Sequence, residues 1–104
     1  MFACQWHVDV PYGKQKEALK ILKDWHDEME ASPDYPKDRG ARLTVGHIGV
    51  STSHLVVEHV FDSLADWEKV IEEVATGRYR QYTDALSPIV VPGSQHWKIL
   101  RIVK

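Results

Sequence analysis

The first stretch of the chain alternates between apolar and polar positions, as a strand with one buried face does. Over residues 2–10 the even positions are apolar, and Gln5, His7 and Asp9 lie between them. After a turn that contains proline and glycine, the period becomes helical. The apolar residues of this first helix are Ala18, Ile21, Leu22, Trp25 and Met29. The segment 32–40, which is rich in helix-breaking residues, is predicted to end the helix.

The middle of the chain has the pattern of a hairpin followed by a helix. Residues 42–48 and 54–61 are strand-like, and the connection between them is too short for a crossover, so the two strands are expected to pair antiparallel. Ser63 and Asp66 then have the spacing of an N-cap residue and an acidic N3 residue. The helix that follows has an apolar stripe and is predicted to stop near Gly77.

The last part of the chain predicts a short helical piece and a closing strand. Tyr79 and Tyr82 belong to the helical piece, which ends before the Pro92–Gly93 turn. Alternation returns over residues 95–103. We therefore predict a single α+β domain over residues 1–104, with a ferredoxin-like β-α-β-β-α-β order. Right-handed crossovers give its antiparallel sheet the strand order 4-1-3-2 and put both helices on one face.

Both faces of this predicted sheet carry apolar side chains. The face toward the helices is expected to hold Trp6, Val8, Leu43, Val45, Leu55, Val57, Leu100 and Ile102. The opposite face is expected to hold Val56, Val60, Trp97 and Ile99. An exposed apolar patch of this kind usually marks an interface, and two identical sheets packed face to face would cover it. The pattern therefore predicts a homodimer.

Two segments carry a resemblance to a known superfamily. Residues 55–67, a strand that runs into a capped helix, and residues 92–101, which lead into the closing strand, resemble the dimeric α/β-barrel superfamily and in particular its small NIPSNAP and antibiotic-biosynthesis-monooxygenase-like members. The resemblance implies that the sheets of two chains pack as a dimeric barrel. The superfamily contains cofactor-free oxygenases, polyketide cyclases, haem-degrading enzymes and proteins without a known role, so the resemblance does not select an activity.

Composition narrows the range of partners. The formal net charge is -2, with 13 basic and 15 acidic residues, and this disfavours nucleic acid because phosphate recognition rests on clustered Lys and Arg. No apolar run is long enough to span a bilayer, so no membrane contact is expected and the default location is cytoplasmic. The single cysteine, Cys4, lies in an apolar strand and is expected to be a buried thiol.

Polar residues on the face away from the helices are the main candidates for chemistry. Alternation places there His7, Asp9, Arg42, Thr44, Glu58 and Arg101. Val56 and Val60 flank Glu58 on this face. Burial is therefore expected to raise the pKa of the Glu58 carboxyl, unless Arg101 or His7 compensates. His7 and Glu58 are the predicted catalytic acid–base pair. The alternative is a buried ion pair that only fixes the register of the dimer.

Aromatic residues complete the predicted site. Tyr79 and Tyr82 come where barrel relatives often place a short helix over the cavity mouth, so they are predicted to line a pocket for a flat hydrophobic ligand. Tyr82 is the third predicted catalytic residue, as a proton donor. Tyr79, Thr44, Trp97 and Arg101 are the predicted ligand-binding residues, with Arg101 orienting a carboxylate. The alternative for the tyrosines is a lid that seals the core.

The six histidines raise the questions of metal and haem binding. They are His7, His26, His47, His54, His59 and His96. Their spacing matches no metal-ligand motif, so no metal site is predicted. Haem ligation, which the haem-degrading members of the superfamily suggest, has no stronger support, and His26 is equally well explained as a surface residue of the first helix.

The function predicted from these patterns is small-molecule chemistry in a homodimer. The chain is expected to bind a small aromatic or hydrophobic molecule in the barrel cavity and to act on it by acid–base chemistry without a cofactor, in the manner of a monooxygenase or a cyclase. The first alternative is a non-catalytic homodimer whose polar interior specifies association. The second is a haem-binding protein.

Overall fold

The computed structural model describes all 104 residues, Met1–Lys104. The strands are β1 (Phe2–Asp9), β2 (Ala41–Val45), β3 (His54–Phe61) and β4 (His96–Arg101). The helices are α1 (Gln15–Ala31), α2 (Leu64–Ala75) and α3 (Arg80–Leu86), and a short 3-10 turn follows at Ser87–Ile89. The predicted element order is confirmed, and α3 with its turn corresponds to the predicted third helical piece.

The four strands form one antiparallel sheet of order β2-β3-β1-β4, which is the predicted order. The central strand β1 pairs with β3 on one side and with β4 on the other, so that Trp6 lies opposite both Val57 and Trp97. The edge strand β2 pairs with β3, and Leu43 lies opposite Val57. Because successive side chains point to opposite faces, this register fixes which residues face the helices.

The hydrophobic core lies between one face of the sheet and the helices, in two clusters. One cluster joins Val8 and Leu55 of the sheet to Leu22 of α1. The other joins Cys4 and Phe61 of the sheet to Met29 of α1, Val70 of α2 and Tyr79. Cys4 is fully buried, as its strand position predicts. Both long helices therefore cover the same face of the sheet, as expected for right-handed crossovers.

Two local features follow directly from single residues. The Ser63 hydroxyl accepts a hydrogen bond from the backbone N–H of Asp66, which confirms the predicted N-cap of α2. In the hairpin between β2 and β3, β2 ends at Val45 because the chain turns at Gly46, whose N–H donates to the carbonyl of His54. A Cβ atom at Gly46 would lie 1.9 Å from the carbonyl oxygen of Ser51, so this hairpin closes only on glycine.

The predicted facing of β4 is wrong. Trp97 lies opposite Trp6 and Arg101 lies opposite Phe2, so Trp97, Ile99 and Arg101 point toward the helices and not away from them. Leu100 lies on the other face. The reason is that β4 carries apolar residues at consecutive positions, and alternation in an edge strand that is exposed throughout does not show which face is covered.

The face of the sheet away from the helices, which we call the open face, is consequently more polar than predicted. Val56 and Val60 lie on it as expected, and both are half-buried. Ala3 lies opposite Val60 and Leu100, and these three residues form an apolar strip across β3, β1 and β4. The other rows of this face are mainly polar. None of the helices has the length and hydrophobicity required to cross a membrane, and the cytoplasmic location stays a prediction.

Candidate functional site

A cavity of about 520 Å³ lies between the helices and the covered face of the sheet. Its volume is in the range of small-molecule sites in proteins. Most of its wall is apolar and much of that is aromatic, including Trp6, Leu22, Trp25, Val57, Val74 and Trp97. At β4, Trp97 makes an edge-to-face contact with Trp67 of α2, with ring centroids 5.5 Å apart, and stays 39% exposed.

His59 is the most deeply buried polar residue in the cavity wall, at 6% exposure. Its Nδ1 atom lies 2.9 Å from the Tyr35 hydroxyl and 3.3 Å from Oδ2 of Asp38. The Tyr35 hydroxyl donates to the same carboxylate oxygen at 2.9 Å. His59, Asp38 and Tyr35, which we call the His59 triad, therefore form a closed hydrogen-bonded set beside an apolar space.

The loop that supplies Asp38 and Tyr35 is fixed to β3 by backbone and side-chain contacts. The N–H of Arg39 donates to the carbonyl of Val60, and the N–H of Val60 donates to the carbonyl of Gly40. The Arg39 guanidinium also makes a bidentate pair with Asp62. These bonds hold the end of the loop against β3, the strand that carries His59, and so fix Asp38 and Tyr35 relative to His59.

The hydrogen bonds of the triad determine the tautomer of His59. The Tyr35 hydroxyl has one proton and donates it to Asp38, so its oxygen accepts from His59. Nδ1 of His59 therefore carries the proton, and Nε2 of the neutral ring keeps its lone pair. Since Nδ1 is occupied on the loop side, Nε2 is the nitrogen left for a molecule in the cavity.

Burial keeps this histidine neutral. Burial lowers the pKa of His59 below its ordinary value, Asp38 opposes this effect, and the nearby His26 adds to it. The pKa of Tyr35 is raised by burial and by the adjacent Asp38 carboxylate, so the hydroxyl stays protonated and remains a donor. A neutral imidazole with an orienting carboxylate is the arrangement that a general base requires.

Two further polar atoms near the cavity lack a partner. His26 extends from α1 with its ring centroid 5.2 Å from that of His59, and its Nε2 lies 3.2 Å from Glu30. Its Nδ1 is buried without a hydrogen bond, as is the indole N–H of Trp25. Both residues line the cavity. A buried polar group without a partner is costly, so these two atoms are a cost of placing Trp25 and His26 in the cavity wall.

The structure separates the residues that the sequence placed in one site. Trp97 lies in the cavity wall. Tyr82 stacks on Trp25 with the ring planes 4° apart, and Tyr79 is buried in the core beside the same indole. Thr44 is exposed on the open face, and Arg101 is exposed at the end of β4.

His7 and Glu58 lie on the open face, with the sheet between them and the cavity. Burial raises the pKa of Glu58, but hydrogen bonds from Gln5 and Arg42 outweigh this and lower it overall. The compensating cation is therefore Arg42, whose Nε donates to Glu58 at 2.7 Å, and not Arg101 or His7. His7 has no contact with Glu58 except through Gln5.

Sequence reasoning missed the His59 triad, although part of the signal was present. Glu58 was assigned to the open face, so the next residue, His59, had to face the helices. A polar side chain on a helix-packed face requires a partner. His26 similarly follows Leu22 by four positions and shares its side of α1. Asp38 and Tyr35 had no such signal because they lie in an irregular loop.

None of the groups of histidine, cysteine and acidic residues is arranged so that it could hold a metal ion. Among the side chains that line the cavity, His59 is the candidate proton acceptor.

Solved structures share this fold over almost the whole chain. No protein-family model matches the sequence, and no curated protein matches it significantly. A NIPSNAP family protein of unknown function from Agrobacterium tumefaciens has a TM-score of 0.72 at 20% identity, covering 98% of this chain and 87% of that one. An uncharacterized NIPSNAP domain protein from Burkholderia xenovorans has a TM-score of 0.73 at 18% identity, covering 99% and 95%.

An antibiotic biosynthesis monooxygenase is similar as well, with a TM-score of 0.71 at 10% identity over 100% of both chains. Identities this low show a common fold and do not transfer an activity. The resemblance predicted from residues 55–67 and 92–101 is thereby confirmed at the level of structure. The chain has the ferredoxin-like fold of the NIPSNAP and antibiotic-biosynthesis-monooxygenase-like proteins.

Proposed function

We propose that this protein binds a small, flat, aromatic or hydrophobic molecule in the cavity between sheet and helices and transforms it by proton transfer to His59. The observation that carries the proposal is the His59 triad, a neutral, oriented imidazole in the wall of an apolar cavity. The proposed chemistry is cyclase-like, or monooxygenase-like with dioxygen as the co-substrate that oxidises the ligand and leaves one oxygen atom as water. Neither needs a cofactor in this proposal, because abstraction of a proton from an acidic hydroxyl or carbon begins both reactions.

The form of the ligand follows from the wall. Trp6, Trp25 and Trp97 offer indole faces, which favour stacking with a planar ring system. The ligand needs an ionisable group near Nε2 of His59 for the proposed proton transfer.

The test uses 4-nitrophenol, whose absorbance reports its ionisation directly. We expect the protein to bind this phenol with its hydroxyl at Nε2 of His59. Burial lowers the pKa of His59, but a bound phenolate is an opposite charge that stabilises the imidazolium, so a larger fraction of the bound phenol should be ionised in the wild type than in a variant without the imidazole. His59→Gln should retain binding and lose the ionisation. Val74→Phe, which reduces the volume of the cavity, should weaken binding.

The matched control lies on the other face of the sheet. Glu58→Gln changes a buried polar residue in the same strand but outside the cavity, so it should leave the binding of the phenol unchanged and reduce its ionisation much less than His59→Gln does. If Glu58→Gln abolishes the signal while His59→Gln preserves it, the site is on the open face and the proposal is wrong.

The second part of the proposal is that the protein acts as a homodimer through the open face. The strip of Ala3, Val60 and Leu100 is apolar and 52% of Leu100 is exposed. Of the charged groups beside it, Arg42 is paired with Glu58 and Asp9 with His54, and Lys98 is exposed in the edge strand β4. Two copies stacked on this face would therefore bury apolar area while the one unpaired charge stays at the edge of the contact.

Light scattering after gel filtration tests the dimer. Leu100→Lys places a charge in the apolar strip of the proposed contact and should give a monomer that keeps the secondary structure of the wild type. Ile48→Lys is the control, because Ile48 is 87% exposed in the loop between β2 and β3 and its replacement should leave the mass unchanged. A wild-type protein that is monomeric at micromolar concentration would contradict this part.

The hydrogen-bonded chain on the open face favours one alternative function, a non-catalytic homodimer. Side-chain hydrogen bonds link Arg42 to Glu58, Glu58 to Gln5, and Gln5 to His7. Such a network is as well suited to specifying association as to supporting chemistry. A dimer that retains no ligand in native mass spectrometry and does not bind the phenol would favour this alternative.

A further inference from the structure

A cluster of three histidines lies on the open face, apart from the cavity. The ring of His7 is stacked on that of His96, with centroids 4.8 Å apart, and is 5.0 Å from that of His54. Nδ1 of His7 and Nε2 of His54 are only 2.8 Å apart. A contact between two ring nitrogens at this distance is a hydrogen bond, and it requires one proton between them.

The group at one end of this contact fixes the protonation of His7. Gln5 donates from Nε2 to the Glu58 carboxylate at 2.8 Å, so the other atom of its amide, Oε1, is an acceptor. Oε1 lies 3.0 Å from Nε2 of His7. Nε2 of His7 must therefore carry a proton, because two acceptors do not bond to each other.

The group at the other end fixes His54 in the same way. Nδ1 of His54 lies 2.7 Å from Oδ1 of Asp9. A carboxylate is an acceptor only, so Nδ1 of His54 carries a proton as well. The two outer nitrogens of the pair are thus both protonated, and the bond between the inner nitrogens adds a third proton.

Three protons on the four nitrogens of two imidazoles are one more than the neutral pair has. We propose that His7 and His54 together form a site for a single proton, shared across their 2.8 Å contact, and that this proton is required for two open faces to associate. The requirement for association rests on the homodimer of the proposed function, whereas the shared proton does not.

The charges around the pair support the requirement. The titratable and charged groups that face it are Asp9 from β1, Glu58 from β3, Arg42 from β2, and His96 and Lys98 from β4. With one proton on the pair, its charge balances that of Asp9, as Arg42 balances Glu58. The remaining charge is that of Lys98, which is exposed in the edge strand β4 and whose long side chain can keep its ammonium group in water. Burial of the other charged groups of the face then costs least, because each of them is paired.

One proton more or less removes this balance. A second proton would place two donors against each other across the 2.8 Å contact. Burial and the neighbouring His54, His96 and Lys98 lower the pKa of His7, and Asp9 opposes this effect. Loss of the shared proton would leave two lone pairs in contact and the Asp9 charge without its partner. Association should therefore be strongest in a window around neutral pH and weaken on both sides, by about tenfold per pH unit for each protomer whose proton is linked.

Nitrogen-15 NMR of the imidazoles tests the proton count in the wild-type protein, whatever its oligomeric state. We expect three protonated nitrogens on the His7–His54 pair at pH 7, two at higher pH and four at lower pH. Asp9→Asn should release the extra proton at a lower pH. His96→Gln is the control, since Nδ1 of His96 bonds to the backbone carbonyl of Ser94, and it should leave the count unchanged. Two protons at pH 7, or four, overturn the proposal.

Sedimentation velocity between pH 5 and 9 tests the link to association, with the pH values set about two units on either side of neutrality. A dimer whose dissociation constant has a minimum near neutrality, lost in His7→Gln and kept in His96→Gln, supports the link. A dissociation constant that is flat with pH overturns it. A monomer at every pH overturns both the homodimer and the link between the shared proton and association. The NMR proton count then decides separately whether the His7–His54 pair holds the extra proton.

Discussion

Replacing Asp38 with Asn removes a charge from the His59 triad while keeping its shape. Asp38 accepts from Tyr35 at 2.9 Å and faces Nδ1 of His59 at 3.3 Å, and its side chain is 11% exposed. A hydrogen bond to a charged group contributes about 1.5–3 kcal/mol and one between neutral groups about 0.5–1.5 kcal/mol. Two bonds that lose their charge should therefore lower the free energy of unfolding by about 2 kcal/mol.

Urea denaturation at pH 7 measures this loss, and the same loop offers a control. Asp34→Asn makes the identical chemical change at a side chain that is 71% exposed and 3.6 Å from Arg78. Its effect should stay within about 0.5 kcal/mol. Equal losses in the two variants, or no loss in Asp38→Asn, would show that the triad is not the stabilising unit inferred from its geometry.

The same variant has a predicted pH dependence. Burial lowers the pKa of His59 in the folded protein, so on acidification the unfolded chain binds the proton first. The free energy of unfolding therefore falls as the pH drops from the ordinary histidine pKa to that of His59. In Asp38→Asn the opposing effect of the carboxylate is gone, so the pKa of His59 falls further and the loss continues to lower pH. An NMR titration in which the pKa of His59 rises in this variant would refute the assignment.

Three further predictions concern the fold. Ser63→Ala should lower the free energy of unfolding by about 1 kcal/mol through loss of the N-cap, measured by urea denaturation, and an unchanged midpoint would contradict it. Gly46→Ala should lower the melting temperature and shift the amide signals of the hairpin, because its Cβ would lie 1.9 Å from Ser51. Burial raises the pKa of Cys4, so a thiol reagent should label it only as fast as the protein unfolds; rapid labelling of the native protein would argue against the buried position.

The sequence was sufficient for the architecture because each element has a strong periodic signal. Alternation identifies β1, helical spacing identifies α1, and the short connection between β2 and β3 leaves only antiparallel pairing. The strand order then follows from the handedness of the crossovers. The facing of β4 had no such support, since Trp97, Ile99 and Leu100 are all apolar and each is at least 36% exposed.

Only part of the candidate site could be predicted from the sequence. Its strand residue, His59, follows from the alternation that placed Glu58 on the open face. Its loop residues, Tyr35 and Asp38, depend on how an irregular segment returns to β3, and irregular segments have no period to predict. The predicted pair of His7 and Glu58 is bridged in the structure by Gln5, a residue whose amide had no motif to mark it.

The two polar networks meet at the edge strand β2. A smaller cavity of about 250 Å³ lies there, lined by Arg42 and Glu58 as well as by His26 and His59. The two histidines also line the larger cavity. Glu58 and His59 are consecutive in β3, and a positive charge on His59 lowers the pKa of Glu58.

Proton transfer to His59 would thus change the electrostatic potential at the Glu58 carboxylate, which orients Gln5, and through Gln5 it would affect His7. The proposed ligand site and the proposed dimer face are therefore expected to be coupled by charge across one strand. Because coupling between two sites is reciprocal, the Leu100→Lys monomer should also show an altered pKa of His59, although position 100 lies on the opposite face of the sheet.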